Sequence, residues 1–185
     1  AEQDEANPPK KGGIVFTGSS SIRRWDLQKW FPKLKPLNRG FGGSQFSDCN
    51  HYLKETVLRY EPSIVVVFCG SNDVWKKKPP EQVMVDYREF RNRIFKRLPK
   101  CKLIILALKP SPKRLEIINT ERRTNGLLNA DAKNDKRIIF LNEIFNSLLD
   151  KDGQPDTSLF AGDNLHLNDK GYARWTKILR PHLTR

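Results

Sequence analysis

Ile64-Val65-Val66-Val67-Phe68-Cys69 is a run of six apolar residues, and few folds can hold such a segment. A strand with one wet face would alternate apolar and polar residues. An unbroken apolar strand must be covered on both faces, as happens in a parallel sheet clad by helices. Gly13 to Gly18 and Leu103 to Leu108 read the same way, and Pro36 to Gly40 and Arg137 to Asn142 supply two further short strands. Between them lie stripes of helical period. Phe46, Cys49, Leu53, Val57 and Tyr60 form one helix face, and Val83, Tyr87, Phe90, Ile94 and Leu98 form the next. A weaker helical stretch runs from Arg114 to Ala132, and a final helix carries Tyr172, Trp175 and Leu179 behind a cap at Asn168. Strand and helix alternate throughout, which predicts a single doubly wound α/β layer.

At 185 residues with 37% apolar content, the chain can bury about two-thirds of its unfolded surface in one core. No apolar run approaches the roughly 18 residues of a membrane span, so integral membrane contact is not expected. The net charge of +13 favours anionic surfaces, yet it is spread along the chain and interleaves with no nucleic-acid motif. Its longest basic run, Lys76-Lys77-Lys78, reads as a solvated face, and no specific nucleic-acid partner is expected. Cys49, Cys69 and Cys101 match neither a zinc site nor a disulfide framework and read as buried thiols. The polar segment 1–12 begins without Met, which suits a processed secreted or periplasmic protein, with the cytoplasm as the alternative.

In doubly wound sheets, ligands bind beyond the carboxyl ends of the strands, near the point where strand order reverses. Three Gly-Ser loops fall there: Gly18-Ser19-Ser20-Ser21, Gly42-Gly43-Ser44 and Gly70-Ser71-Asn72-Asp73. Each taken alone is a structural turn or a phosphate cradle as readily as a catalytic loop. Neither the Gly-x-Ser-x-Gly elbow nor a phosphate-loop signature is present. Of three histidines, His51 falls inside a predicted helix and His182 follows Pro181 near the C-terminus, so both read as incidental. His166 differs, because Asp163-Asn164-Leu165-His166 places a carboxylate three residues before an imidazole in a loop. A serine hydroxyl needs a base to take its proton, and the base needs a carboxylate to fix its tautomer. Ser20, Asp163 and His166 can supply all three. A metal site would need further ligands, and no other His or Cys lies near in sequence.

Four blocks resemble the SGNH or GDSL-type serine esterases and lipases: Phe16 to Ile22, Asn38 to Gly43, Gly70 to Asp73, and Asp163 to His166. They keep the family's order and extend over most of the chain. The resemblance implies a flavodoxin-like, three-layer α/β/α hydrolase domain over residues 13–185, with about five parallel strands and the first flanked by the second and third. It further implies Ser20 as nucleophile, His166 as base, Asp163 as its orienting acid, and an oxyanion hole made by the Ser20 and Gly43 amides with the Asn72 side chain. No metal or organic cofactor is called for. One position departs from the family pattern: Ser19 stands where Asp usually precedes the nucleophile, which alters the hydrogen bonding available to that loop.

The expected activity is hydrolysis of small acyl esters through an acyl-serine, with acetyl groups on carbohydrate, or short-chain lipid or aryl esters, as substrates. Trp75 and the lysines after Asn72 are candidate pocket-rim residues as well as ordinary packing and surface. Arg39 reads equally as a substrate contact or a structural charge. Two rival readings make different predictions. A non-catalytic basic α/β module would bind anionic polymers in a salt-dependent way and ignore active-site phosphonates. A phosphate-ester enzyme would use the Gly-Ser loops as an anion cradle and depend on a metal. Motifs leave the natural ester and the oligomeric state open.

Overall fold

The computed structural model describes residues 9–184, so most of the expected polar leader lies outside the described residues. Five strands, β1 (Ile14–Gly18), β2 (Leu37–Gly40), β3 (Ile64–Phe68), β4 (Lys102–Leu106) and β5 (Ile138–Leu141), pair in parallel in the order β2-β1-β3-β4-β5. All five were expected as short segments, four of them apolar and β2, Leu37-Asn38-Arg39-Gly40, largely polar, and β1 is flanked by β2 and β3 as the resemblance implied.

The unbroken apolar runs have the predicted consequence. In β3, Val65 and Val67 point into one core while Ile64, Val66 and Phe68 point into the other. On the first face pack α3 (Phe46–His51), α6 (Pro80–Arg97) and α7 (Ile118–Ala132), which bury Phe46, Tyr87, Phe90 and Leu128. On the second lie α1 (Ser20–Arg23), α2 (Leu27–Trp30), α8 (Glu143–Asn146) and α9 (Asp169–Leu179), joined through Trp25, Phe31, Phe145, Tyr172 and Trp175. Trp25 stacks on Tyr172 and meets Trp175 edge-on, so an aromatic cluster locks the last helix to the segment after β1.

The single helix expected from Phe46 to Tyr60 is instead broken into α3, α4 (Leu53–Thr56) and a 3-10 turn over Leu58–Tyr60. The apolar stripe survives, since Phe46, Cys49, Leu53, Val57 and Tyr60 are all buried. The backbone between them tightens where the Thr56 hydroxyl donates to the Tyr52 carbonyl at 2.8 Å, a back-bond that bends helices. After β3 the chain forms one more short helix, α5 (Ser71–Trp75). The three cysteines are free and buried, as expected, with the Cys49 and Cys69 sulfurs 3.7 Å apart.

Candidate active site

β1 carries the chain to Gly18, whose φ of +117° only glycine adopts readily. A Cβ there would lie 2.0 Å from the Phe68 carbonyl oxygen, so the chain crosses the end of β3 in direct backbone contact. Ser19 donates its N–H to that carbonyl at 2.9 Å, and Ser20 then opens α1. As the first helical residue, Ser20 has no intrahelical carbonyl for its own N–H. Asn38 braces α1 from β2, donating its side-chain amide to the Ile22 and Trp25 carbonyls at 2.7 and 3.1 Å. Tyr172 donates its hydroxyl to the Ser21 carbonyl at 2.8 Å from the opposite side.

Of the three consecutive serines, Ser19 and Ser21 are buried, and Ser20 alone reaches His166, with Oγ 2.9 Å from Nε2. His166 Nδ1 lies 2.6 Å from Asp163 Oδ2. The other carboxylate oxygen, Oδ1, accepts the N–H groups of Leu165 and His166 at 3.0 and 2.9 Å. One oxygen therefore shapes the turn and the other orients the ring, which is the physical reason for a spacing of three residues. Burial alone would raise the Asp163 pKa, but the His166 ring and the two amides hold it well below the ordinary carboxylate range. Burial pushes the His166 pKa down, the Asp163 hydrogen bond pushes it up, and nearby Arg24 and Lys109 push it down again. The net direction is below its ordinary value, which keeps the imidazole neutral and able to accept a proton at pH 7.

Across from His166 lies a cleft of about 280 Å³ lined by Ser20, Gly43, Asn72 and His166 among others. Gly43 has φ +72° in an exposed turn, and its N–H has no partner among the described residues. Asn72 is fixed at both ends of its amide: Nδ2 donates to the Ser44 carbonyl at 3.0 Å, and Oδ1 accepts from Arg114 Nη1 at 3.1 Å. That pairing sets which end carries nitrogen and leaves one N–H uncommitted. The Gly43 loop is in turn tied to α5 by the fully buried Asp73, whose carboxylate accepts the Phe46 N–H at 3.2 and 3.3 Å and meets Lys78 Nζ at 2.8 Å. Burial raises the Asp73 pKa against the pull of Lys78.

The two expected substrate contacts part company. Trp75 is not among the cleft-lining residues but borders a neighbouring hollow and lies under Arg114, whose guanidinium carbon is 4.8 Å from the ring centroid. Arg39 is not among the cleft-lining residues. Its Nε donates to the Tyr60 hydroxyl at 2.8 Å and its Nη1 to the Asn38 carbonyl at 2.8 Å, with the guanidinium over the Tyr60 ring. Lys78, read from sequence as part of a solvated run, turns inward to bridge Asp73 and Asp86. His51 packs edge-on to Tyr52 and His182 lies in the C-terminal 3-10 turn, both away from the cleft. Among the described residues, no three His, Cys, Asp or Glu side chains group as a metal site would require.

Sequence inspection passed over Lys109 and Arg114. Lys109 follows β4, is buried, lines the cleft and donates to the Leu165 carbonyl inside the His166 loop. Burial pushes its pKa down, while burial pushes the pKa of neighbouring Glu121 up. Neither residue had a motif to mark it; the only trace was a lysine directly after an apolar strand.

No curated protein matches the chain. Among solved structures, a GDSL-like lipase from Bacteroides thetaiotaomicron superposes with a TM-score of 0.82 at 19% identity, covering 98% of this chain and 94% of the other. A carbohydrate esterase of family 3 from Talaromyces cellulolyticus gives a TM-score of 0.75 at 14% identity, covering 93% and 96%. A catalytic mutant of an acetylxylan esterase from Geobacillus stearothermophilus gives 0.72 at 16% identity, covering 93% and 94%. At such identities the likeness is one of fold. The model of the GDSL-like lipase/acylhydrolase family, in contrast, matches residues 15–174, from the middle of β1 into α9. The chain therefore belongs to the GDSL-like lipase/acylhydrolase family and is a carboxylic ester hydrolase.

Proposed function

We propose that residues 13–185 act as one hydrolase domain that cleaves small acyl esters through an acyl-enzyme on Ser20. The hydrogen-bonded line from Asp163 through His166 to Ser20 Oγ carries this reading. In the first half-reaction, Oγ attacks the ester carbonyl carbon while its proton passes to His166 Nε2. The carbonyl oxygen takes up the electron pair and is received by the Ser20 and Gly43 amides and the free N–H of Asn72. Collapse of this intermediate breaks the bond to the alcohol oxygen, which leaves with the proton from Nε2. Water then repeats the sequence, giving its proton to His166 and releasing the acid.

A cleft of about 280 Å³ suits a short acyl chain, and acetyl esters of carbohydrate or of small aryl or lipid alcohols are the favoured substrates. The test is labelling with a fluorophosphonate and mapping of the modified peptide, followed by p-nitrophenyl esters from acetyl to octanoyl. Labelling of Ser20 and a fall in kcat/KM with chain length are expected. Modification elsewhere, or no modification of an intact protein, would overturn the reading.

A further inference from the structure

The cleft carries more positive charge than its own chemistry consumes. Arg23, Arg24, Lys109 and Arg114 line it, and no carboxylate does among the described residues. Two of these cations are engaged. Arg24 meets Asp163 Oδ2 at 3.5 Å, and buried Lys109 is held by the Leu165 carbonyl with Glu121 beside it. Arg23 and Arg114 have no carboxylate within ion-pair distance among the described residues, although Glu121 and Glu116 act on Arg114 from further off.

These two arginines flank the candidate oxyanion donors. Arg23 runs over the Gly42-Gly43 turn, its Nη1 3.6 Å from where a Cβ on Gly42 would stand. Arg114 is half-buried and pinned twice, by Nη1 on Asn72 Oδ1 and by its stack on Trp75. Pinning removes much of the side-chain entropy that ordinarily weakens a surface arginine, leaving a planar cation set in advance in the wall of the cleft that holds Ser20. A guanidinium of this kind suits a carboxylate or phosphate oxygen pair.

We infer that the preferred ester carries its own anionic group, a carboxylate or phosphate on the alcohol portion, held by Arg23 and Arg114. This rests on the proposed Ser20 chemistry with a small acyl group, which is what assigns the anion to the alcohol. The Trp75 hollow, reached past Arg114, is bordered by Lys76 and Lys77 with Glu116 and Ile117 also in its lining, so it offers two further cations against one carboxylate away from Ser20. The remainder of an anionic alcohol can lie along it.

The experiment compares aryl acetates that differ only at the para position: 4-acetoxybenzoate, 4-acetoxyphenyl phosphate, 4-acetoxybenzamide and a trimethylammonium analogue. Each rate is referred to spontaneous hydrolysis. At low ionic strength the anionic esters should exceed the amide in kcat/KM by about tenfold, and the cationic ester should fall below it. The advantage should shrink towards parity at about 1 M salt, where screening acts within about 3 Å. Arg23→Gln and Arg114→Gln should each reduce the anion-to-amide ratio by about threefold or more. The benzoate and phosphate arms show which anion is favoured. Equal handling of anionic and neutral esters, or a ratio unmoved by both variants, would overturn the inference. Calorimetric titration of Ser20→Ala with 4-acetoxybenzoate and 4-acetoxybenzamide decides it independently of turnover. Tighter benzoate binding supports it and equal binding defeats it, whereas failure to label Ser20 counts only against the nucleophile assignment.

Discussion

The Ser20 wall of the cleft rests on strand ends, with the Gly18 crossing against Phe68 and a Gly43 amide that has no partner among the described residues, and the side chains of Asn38, Asp73 and Arg114 brace its loops. The His166 wall is a coil between Leu159 and α9, closed by backbone bonds such as Ala161 N–H to the His166 carbonyl and held further by side chains, two of which arrive from distant parts of the chain. Lys109 grips the Leu165 carbonyl, Arg24 meets Asp163, and Asn168 donates to the Ser158 and Phe160 carbonyls while capping α9. A wall seated on strand ends is stiffened by the sheet beneath it, so losing one oxyanion donor there chiefly removes that donor's chemistry. A coil held by side chains can be displaced by changing residues that never touch substrate. The contrast predicts two kinds of mutational response.

The largest effects should come where the walls meet. Ser20→Ala and His166→Ala should each lower turnover of an acetyl ester by about 10⁴-fold, and the double variant little further, because the two act as one unit. Single-turnover and steady-state rates on purified, folded protein check this. Additive losses would mean that the walls contribute independently. On the Ser20 wall alone, Asn72→Ala should cost about 10² to 10³ in kcat with KM nearly unchanged, the mark of a donor used in the transition state. A rise in KM with kcat intact would reassign Asn72 to substrate binding.

The two walls also differed in how far the sequence announced them. Parallel strands buried on both faces write themselves as apolar runs, so the sheet and the loops bearing Ser20, Gly43 and Asn72 followed from local patterns, whereas the strand order was implied only by the family resemblance. Asp163 and His166 were legible because their contact is local, within one turn. The supports were not. Lys78 looks solvated in a run of three lysines, and only the fold brings it to Asp73 and Asp86. Arg114 sits in an irregular 3-10 segment with a kinked backbone, and its partners Asn72 and Trp75 lie about forty residues earlier. Charge buried by tertiary packing leaves no periodic trace, which is also why Arg39 read equally as a substrate contact or a structural charge until the fold set its Nε on the Tyr60 hydroxyl.

Lys109→Met tests whether the His166 wall depends on such a support. The change removes the donor to Leu165 and leaves Glu121, 1% exposed, with Arg114 but not Lys109 as a cationic neighbour. Turnover should fall about tenfold by displacement of His166, with KM less affected, and melting temperature should drop. Lys109→Arg should recover part of the turnover, and Lys109→Met with Glu121→Gln should recover stability without activity. Full activity in Lys109→Met would show that the loop's own hydrogen bonds suffice.

The smallest expected effect is also the most directional. Burial, Arg24 and Lys109 lower the His166 pKa and Asp163 raises it, with a net shift downwards. The acid limb of kcat/KM, which reports the free enzyme's base, should therefore lie below the ordinary histidine value, with activity rising as pH climbs through it and flat near pH 7. Arg24→Gln deletes a cation that disfavours imidazolium, so the limb should move to higher pH while plateau activity on a neutral ester stays within about twofold. Asp163→Asn removes the stabilising partner of imidazolium, so its limb should move to lower pH, on a much reduced plateau. Opposite displacements of one limb by two neighbours of one ring would locate the titration at His166. Displacement in the same direction would place it elsewhere in the cleft.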